Sequence, residues 1–284
     1  MIKQISILFA FIFYLQSNAQ NQRFIYEYTF KPDSLNKEIV LKEIMNLDVT
    51  KDGSIFYSQL LLDRDSIFNA QFEQGRKTGT IILDARKIKK SQANFLVSKK
   101  YPNHETIFHT SFNALDLSIK ENKKMNWVIL PETKTIEGLK VQKATTNFVG
   151  KNWTAWFTDD IQIQDGPYKF SGLPGLILNI EDEKGDHAFN IIGIKKQFHT
   201  TYLNKSKEIV VTEEKFNKLW NEYKKDPAKN IKLIHASSEM SDTIFYDSNT
   251  KSPLTKQDLI RNKEEGDRKF FKHYNNFIEL QLYK

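Results

Sequence analysis

The chain has 284 residues, and its hydrophobic content of 39% and aromatic content of 13% exclude an intrinsically disordered protein. It contains no cysteine, which excludes disulfides, thiolate metal sites, cysteine nucleophiles and a lipid anchor on an N-terminal cysteine. The net charge of +7 favours anionic partners, but the lysines are interleaved with acidic residues and no nucleic-acid-binding motif is present. We therefore expect a solvated basic surface and no nucleic-acid partner.

Residues 1–19 have the pattern of a secretory signal peptide. Lys3 supplies the positive charge, Ile5 to Leu15 form an apolar run, and Ser17 and Ala19 are small residues at the −3 and −1 positions of a cleavage site. The run is about half the ~20 apolar residues that a membrane-spanning helix needs, and no later stretch is long enough. We expect cleavage after Ala19 and a mature chain, 20–284, that is periplasmic or secreted and does not span a membrane.

Alternating apolar residues predict strands in the first part of the mature chain. In the first strand the aromatic residues share one face, which predicts burial of that face. A tight turn is predicted at Asp52-Gly53, because glycine adopts the positive φ that hairpin turns need. The predicted strands are Phe24–Phe30, Ile39–Val49 and Ile55–Leu62.

The next segment, 63–125, has weaker patterns. A short strand is predicted at Ile81–Leu83 and a turn at Tyr101–Asn103. Residues 91–100 fit helix and strand equally well, and the sequence leaves that choice open.

From Trp127 the strand pattern becomes clear again. Pro131 is expected to end the first of these strands. Leu176–Ile180 is apolar on both faces, which is typical of a strand in the middle of a sheet. Short turns at Gly150–Asn152 and Lys184–Asp186 indicate an antiparallel meander. The predicted strands are Trp127–Leu130, 139–148, Trp153–Thr158, Leu176–Ile180 and Phe189–Ile194.

Helices are predicted near the end of the chain. Phe216, Leu219, Trp220 and Tyr223 follow the spacing of one helix face, with Thr212 as the N-terminal cap. A second helix is predicted from Thr255, where Asp258 completes a capping-box spacing. The alternation of Ile278, Leu280 and Leu282 predicts a final strand.

No stretch of the sequence has a recognisable catalytic or metal-binding pattern. A calcium-like loop at 48–59 lacks ligands because Thr50 and Gln59 occupy two key positions. His104 and His109 are five residues apart, which does not match a zinc-protease helix. The acidic residues at 181–186 and at 159–160 fit strand-end turns. The sequence provides no positive evidence for an enzyme, and we predict no catalytic residue, metal ligand or cofactor.

The segment 165–180 is unusually rich in turn residues. Leu173-Pro174-Gly175-Leu176 fits a type II turn, with proline at its second position and glycine, at positive φ, at its third. The segment is either a structural corner that leads into a buried strand or a loop whose exposed side chains contact a ligand or partner. The structural residues would be Gly166, Pro167, Gly172, Pro174 and Gly175, and the binding residues Trp156, Tyr168, Phe170 and Leu173.

The sequence Gly-Leu-Pro-Gly-Leu-Ile at 172–177 resembles the signature that names the GLPGLI family of exported Bacteroidota proteins. Lys143-Ala144-Thr145, 154–158 and 166–170 match the family's upstream pattern. The resemblance is strongest over 127–200. Family members often have cysteine where this chain has Val141. The family is uncharacterised, so the resemblance implies export and a fold but no catalytic residues.

Together these patterns predict a mainly β protein of the β-rich α+β kind, a single domain with a curved antiparallel meander and a few packing helices. We expect a non-enzymatic periplasmic binding or cell-envelope protein. Its fold would resemble that of periplasmic lipoprotein carriers, and its ligand would be apolar or lipid-like. The alternatives are an interaction module that binds an outer-membrane protein, and a hydrolase whose site is assembled in space.

Overall fold

The computed structural model describes residues 21–79, 88–121, 123–196, 207–234, 246, 250 and 252–284. The predicted signal peptide and the predicted strand at Ile81–Leu83 lie outside these residues. In the described part of the chain, no helix is long and apolar enough to cross a membrane.

The described residues form a sheet of twelve strands, and this confirms the predicted mainly β fold. Every pairing is antiparallel except that of the short strand β12 with β6. The order across the sheet is β12-β6-β5-β4-β3-β2-β1-β11-β10-β9-β8-β7. The strands are β1 (Gln22–Phe30), β2 (Leu41–Thr50), β3 (Gly53–Ser58), β4 (Phe95–Lys100), β5 (Glu105–Phe112), β6 (Leu115–Glu121), β7 (Val128–Ile136), β8 (Leu139–Phe148), β9 (Lys151–Thr158), β10 (Leu176–Asp182), β11 (His187–Lys196) and β12 (Ile209–Val210).

The two most strongly patterned strands lie in the middle of this sheet. In β1, the aromatic side chains from Phe24 to Phe30 are buried on one face, as their alternation predicts. In β10, Leu176, Ile177 and Leu178 are all buried, so both faces of this strand are covered. The antiparallel partners of β10 are β9 and β11, which confirms its central position.

The third strand is shorter than predicted. It ends at Ser58, whose hydroxyl accepts a hydrogen bond from the backbone N–H of Leu60 and caps helix α1, Gln59–Thr78. The prediction that the strand continues to Leu62 is therefore wrong, because the serine cap starts a helix at that point. The undecided stretch 91–100 contains β4.

The strand that starts beside Trp127 is longer than predicted. It continues through Pro131 to Ile136, with a register shift between Ile129 and Thr133. Proline is tolerated because β7 is an edge strand, where one side of the backbone has no neighbour in the sheet. The prediction that Pro131 ends this strand is wrong for that reason.

In the described residues after the last strand, the α-helices are α2 (Glu213–Lys225), α3 (Lys229–Ile234) and α4 (Lys256–His273). Both predicted caps are confirmed. The Thr212 hydroxyl accepts from Lys215 N at 3.2 Å, and Thr255 and Asp258 form a reciprocal capping box. The predicted final strand is wrong, because Leu280–Tyr283 forms a 3-10 helix. Its Tyr283 ring packs on aromatic residues of α2.

Gly266, in the middle of α4, gives a prediction about stability. A Cβ atom added there meets no atom within 4 Å, so the space beside it is open. Gly266→Ala is expected to raise the free energy of unfolding by about 1 kcal/mol, because alanine has the higher helix propensity. Urea unfolding followed by circular dichroism measures the change, and a loss of stability would contradict it.

Candidate ligand-binding cavity

A cavity of about 610 Å³ lies between the sheet and the C-terminal segments. This volume is in the range of small-molecule sites, roughly 300–1,000 Å³. Twelve aromatic rings line the cavity, together with a similar number of polar and charged side chains. The rings come from β1, β4, β5, the segment at residue 168, α2 and the last part of the chain. The lining rings are those of Tyr28, Phe30, Phe95, Phe108, Phe112, Tyr168, Trp220, Tyr223, Phe270, Tyr274, Phe277 and Tyr283.

Strand alternation and helix periodicity bring these rings to one place. Phe108 and Phe112 are separated by an even number of positions on β5 and therefore point to the same face of the sheet. Trp220 and Tyr223 are three residues apart on α2 and share one helix face. The Phe112 ring contacts both of these rings, at centroid distances of 5.1 and 5.4 Å. The cavity wall thus joins the sheet to α2.

The loop before β4 forms one rim of the cavity and is held by a buried carboxylate. Glu43 accepts hydrogen bonds from Ser91 Oγ at 2.5 Å, Gln92 N at 2.8 Å and Ala93 N at 3.1 Å. On the opposite side, the Tyr274 hydroxyl donates to Gln92 Oε1 at 2.5 Å. These bonds fix the rim against both β2 and the end of α4.

The inner wall contains a buried ionic cluster. The Tyr168 hydroxyl donates to Glu279 Oε1 at 2.5 Å, and the Lys169 ammonium pairs with both Glu279 and Glu121. Burial raises the pKa of Glu121, and the Lys169 charge opposes that rise. Because all four side chains are buried, the cluster ties the 168–169 segment to the C-terminal end of the chain.

His187 lines the cavity, and Lys151 lies near it outside the lining. The Tyr28 hydroxyl is 2.8 Å from His187 Nδ1, while Nε2 has no hydrogen bond of acceptable geometry within the described residues. Burial, together with the nearby Lys151 charge, holds the pKa of His187 well below its usual range, although the Phe277 backbone acts in the opposite direction. Burial lowers the pKa of Lys151 to about 8, and its ammonium donates to the Phe277 carbonyl at 3.0 Å.

The lowered pKa of His187 predicts a pH dependence of stability. The imidazole is neutral in the folded protein but takes up a proton in the unfolded chain below its ordinary pKa of about 6.5. The unfolded state therefore binds more protons, and the free energy of unfolding falls as the pH drops through this region. In urea unfolding at pH 7.5 and 5.0, His187→Gln is expected to lose less stability on acidification than the wild type. An equal loss in both proteins would contradict this.

The predicted binding residues do not form an exposed loop. Tyr168, Phe170 and Leu173 are buried, with exposed fractions of 2%, 0% and 1%. Of the three, Tyr168 lines the cavity, whereas Phe170 packs on Trp153 at a ring distance of 4.7 Å. Trp156 is not among the lining residues of the cavity, and the Lys134 ammonium lies 4.0 Å from the centroid of its ring. The exposed-loop interpretation is therefore wrong for the first three residues, because their apolar side chains fill the core.

The segment 165–175 is a structural corner, but its turn differs from the predicted type. Gly172 has a φ of +92°, whereas Gly175 is not at positive φ, so the type II turn is wrong. The Gly175 N–H donates to the Leu173 carbonyl at 2.8 Å, which closes a tight three-residue turn around Pro174. Pro167 contributes a second bend, since its carbonyl accepts from the N–H of Phe170 at 3.1 Å.

Two positions of the corner require glycine, because neighbouring atoms occupy the space that a Cβ atom would need. A Cβ atom at Gly175 would lie 2.0 Å from the carbonyl oxygen of Thr158. One at Gly166 would lie 2.8 Å from the Ile177 side chain. The absence of a side chain lets the corner lie directly on β9 and β10.

A fully buried carboxylate, Asp165, anchors the corner to the sheet. It pairs with the Lys99 ammonium and accepts from Ser54 Oγ at 2.6 Å and the Tyr101 hydroxyl at 2.5 Å. The Lys99 ammonium also donates to the carbonyl of Gly166 at 2.8 Å. Sequence reasoning missed this pair. The available signal was a lysine on the inward-facing side of β4, two positions after Val97.

The acidic residues at 181–186 serve the hairpin turn between β10 and β11. Asp182 Oδ1 accepts from the backbone N–H groups of Asp186 at 2.7 Å and His187 at 2.8 Å. Within the described residues, no group of three or more acidic or histidine side chains is arranged to hold a metal ion.

Residues 109–179 match the model of a protein family of unknown function, Porph_ging. The matched stretch ends within β10 and includes the corner. No curated protein matches the chain.

Two solved structures of PNGF-II resemble the fold. The one in space group P21 has a TM-score of 0.50 and 14% sequence identity, covering 71% of this chain and 33% of PNGF-II. The one in space group C2 has a TM-score of 0.47 and 15% identity, covering 68% of this chain and 31% of PNGF-II. The chain thus spans about a third of the length of PNGF-II. Its similarity to the structure in space group P21 shows that the β fold is related and shows nothing about function.

Proposed function

We propose that this chain is a binding protein that holds an apolar, lipid-like ligand in the aromatic cavity. The observation that carries the proposal is the wall of twelve rings around a space of about 610 Å³. Transfer of apolar ligand surface from water into such a space is favourable by roughly 25 cal/mol per Å². Tyr168 and Glu279 are already hydrogen-bonded to each other, and Glu279 is paired with Lys169, so this part of the wall favours an apolar part of the ligand beside the rings.

We also propose that the protein is exported, that it acts in the cell envelope, and that 20–284 is a single domain of the GLPGLI family. The support is the signal-peptide pattern of residues 1–19 and the signature at 172–177. A carrier role resembling that of periplasmic lipoprotein carriers fits this location. The alternative role, binding an outer-membrane protein through an exposed loop, has less support, because Tyr168 and Leu173 are buried.

The proposal is tested by titration with N-phenylnaphthylamine, a neutral fluorescent probe of apolar sites. The wild type is expected to show saturable binding. Gly266→Trp places a large ring at the cavity wall, where an added Cβ meets nothing within 4 Å, and is expected to weaken binding at least tenfold. Gly266→Ala is the matched control and should bind as the wild type does. Absence of saturable binding in the wild type, or equal binding by the tryptophan variant, would contradict the proposal.

A further inference from the structure

We infer that the ligand is an anionic amphiphile, with its apolar chain in the cavity and its negative head group at the rim beside Lys89 and Lys90. The inference rests on the proposed function, because it names the chemical class of the ligand for the same cavity. It is carried by the distribution of charge over the cavity wall.

Positive charge exceeds negative charge on this wall. Both of its carboxylates are already paired, Asp267 with Lys263 at 2.6 Å and Glu279 with Lys169. The other charged residues of the lining are Arg64, Lys89 and Lys90.

The two rim lysines are the cations that remain available. Among the described residues, neither Lys89 nor Lys90 has an ion-pair partner, and both are exposed. Arg64, by contrast, lies 3.2 Å from the carboxylate of Asp65. The backbone N–H groups of Gln92 and Ala93 donate to the Glu43 carboxylate and hold the adjacent backbone, so the lysines stay at the rim.

The inner end of the cavity is unsuitable for an anion. Glu279 already places a carboxylate there, and His187 is held neutral by burial. A second negative charge at this depth would lose its hydration without gaining an unpaired cation. At the rim, the head group keeps part of its hydration and gains attraction to two ammonium groups. The charged end of the ligand therefore lies outward and the chain inward.

The test compares two probes that have the same chain and differ in the head group, tetradecanoate and tetradecanol. Each displaces N-phenylnaphthylamine at about pH 8 from the wild type and from Lys89→Gln/Lys90→Gln. The wild type is expected to bind tetradecanoate about tenfold more tightly than tetradecanol, which corresponds to about 1.4 kcal/mol. In the double variant this preference should fall below about threefold, while the affinity for tetradecanol stays unchanged.

Lys224→Gln/Lys225→Gln is the matched control, because it removes the same charge from exposed positions at the end of α2, outside the cavity lining. It should keep the wild-type preference. Equal affinity of the wild type for both probes, or equal loss of preference in both double variants, would overturn the inference and leave the apolar site standing. Failure of both probes to displace the fluorophore would count against the proposed function itself.

Discussion

Gly175→Ala is expected to destabilise the protein by about 3 kcal/mol or more, because it forces a methyl group into backbone atoms. The added Cβ would lie 2.0 Å from the Thr158 carbonyl oxygen, 2.6 Å from its carbon and 3.1 Å from Asp159 Cα. None of these atoms can rotate aside, since they are backbone atoms at and just after the end of β9. Relief of the clash requires the corner to move away from the sheet. Urea unfolding followed by circular dichroism measures the loss.

Gly172→Ala is the matched control for this prediction. Gly172 is in the same corner and has a φ of +92°, but a Cβ there meets nothing within 4 Å. Alanine at this position is expected to cost about 1–2 kcal/mol through backbone strain alone. If Gly172→Ala lowered the stability as much as Gly175→Ala does, the close approach of β9 would not explain why glycine is needed at position 175.

Asp165→Asn is the second large effect, with an expected loss of about 3–5 kcal/mol. The change removes the countercharge of Lys99, whose side chain is fully buried, and leaves an uncompensated ammonium in the core. Burial already lowers the pKa of Lys99, which shows how unfavourable this environment is for a bare positive charge. Asparagine keeps an oxygen that can still accept from Ser54 or Tyr101, so the loss reports mainly on charge.

The double variant Lys99→Met/Asp165→Asn separates charge from packing. It removes both charges, and we expect it to recover at least half of the stability lost in Asp165→Asn. A double-mutant cycle of urea midpoints, with Lys99→Met as the fourth member, gives the coupling energy. Strict additivity of the two single changes would show that the pair is not coupled and would contradict the anchoring role.

The strands were the most predictable part of the fold, because half-buried strands show a period of two in the sequence. In β1 and β9 this alternation identifies both the strand and its buried face. The apolar residues after Ser58 do not alternate with polar residues, so Leu60 to Leu62 fit either a strand or a helix. The Ser58 hydroxyl, which accepts a hydrogen bond from Leu60 N, caps a helix there, and the spacing of the apolar residues alone does not reveal this local contact.

The candidate site was less predictable, because its parts are distant in sequence. Turn residues located the corner, but the need for Gly175 depends on the carbonyl of Thr158, which pairing of β9 with β10 brings close. The apolar face of α2 was predicted from Trp220 and Tyr223, yet its partner, Phe112 on β5, follows only from tertiary packing. The cavity could not be derived from any one of these patterns.

The central claim, that the aromatic cavity holds an apolar ligand, is tested most directly by native mass spectrometry of the gently purified protein. We predict a reproducible mass above that of the polypeptide, released by organic solvent and absent from Gly266→Trp. A bare polypeptide mass in every preparation, together with no uptake of added tetradecanoate or tetradecanol, would contradict the claim.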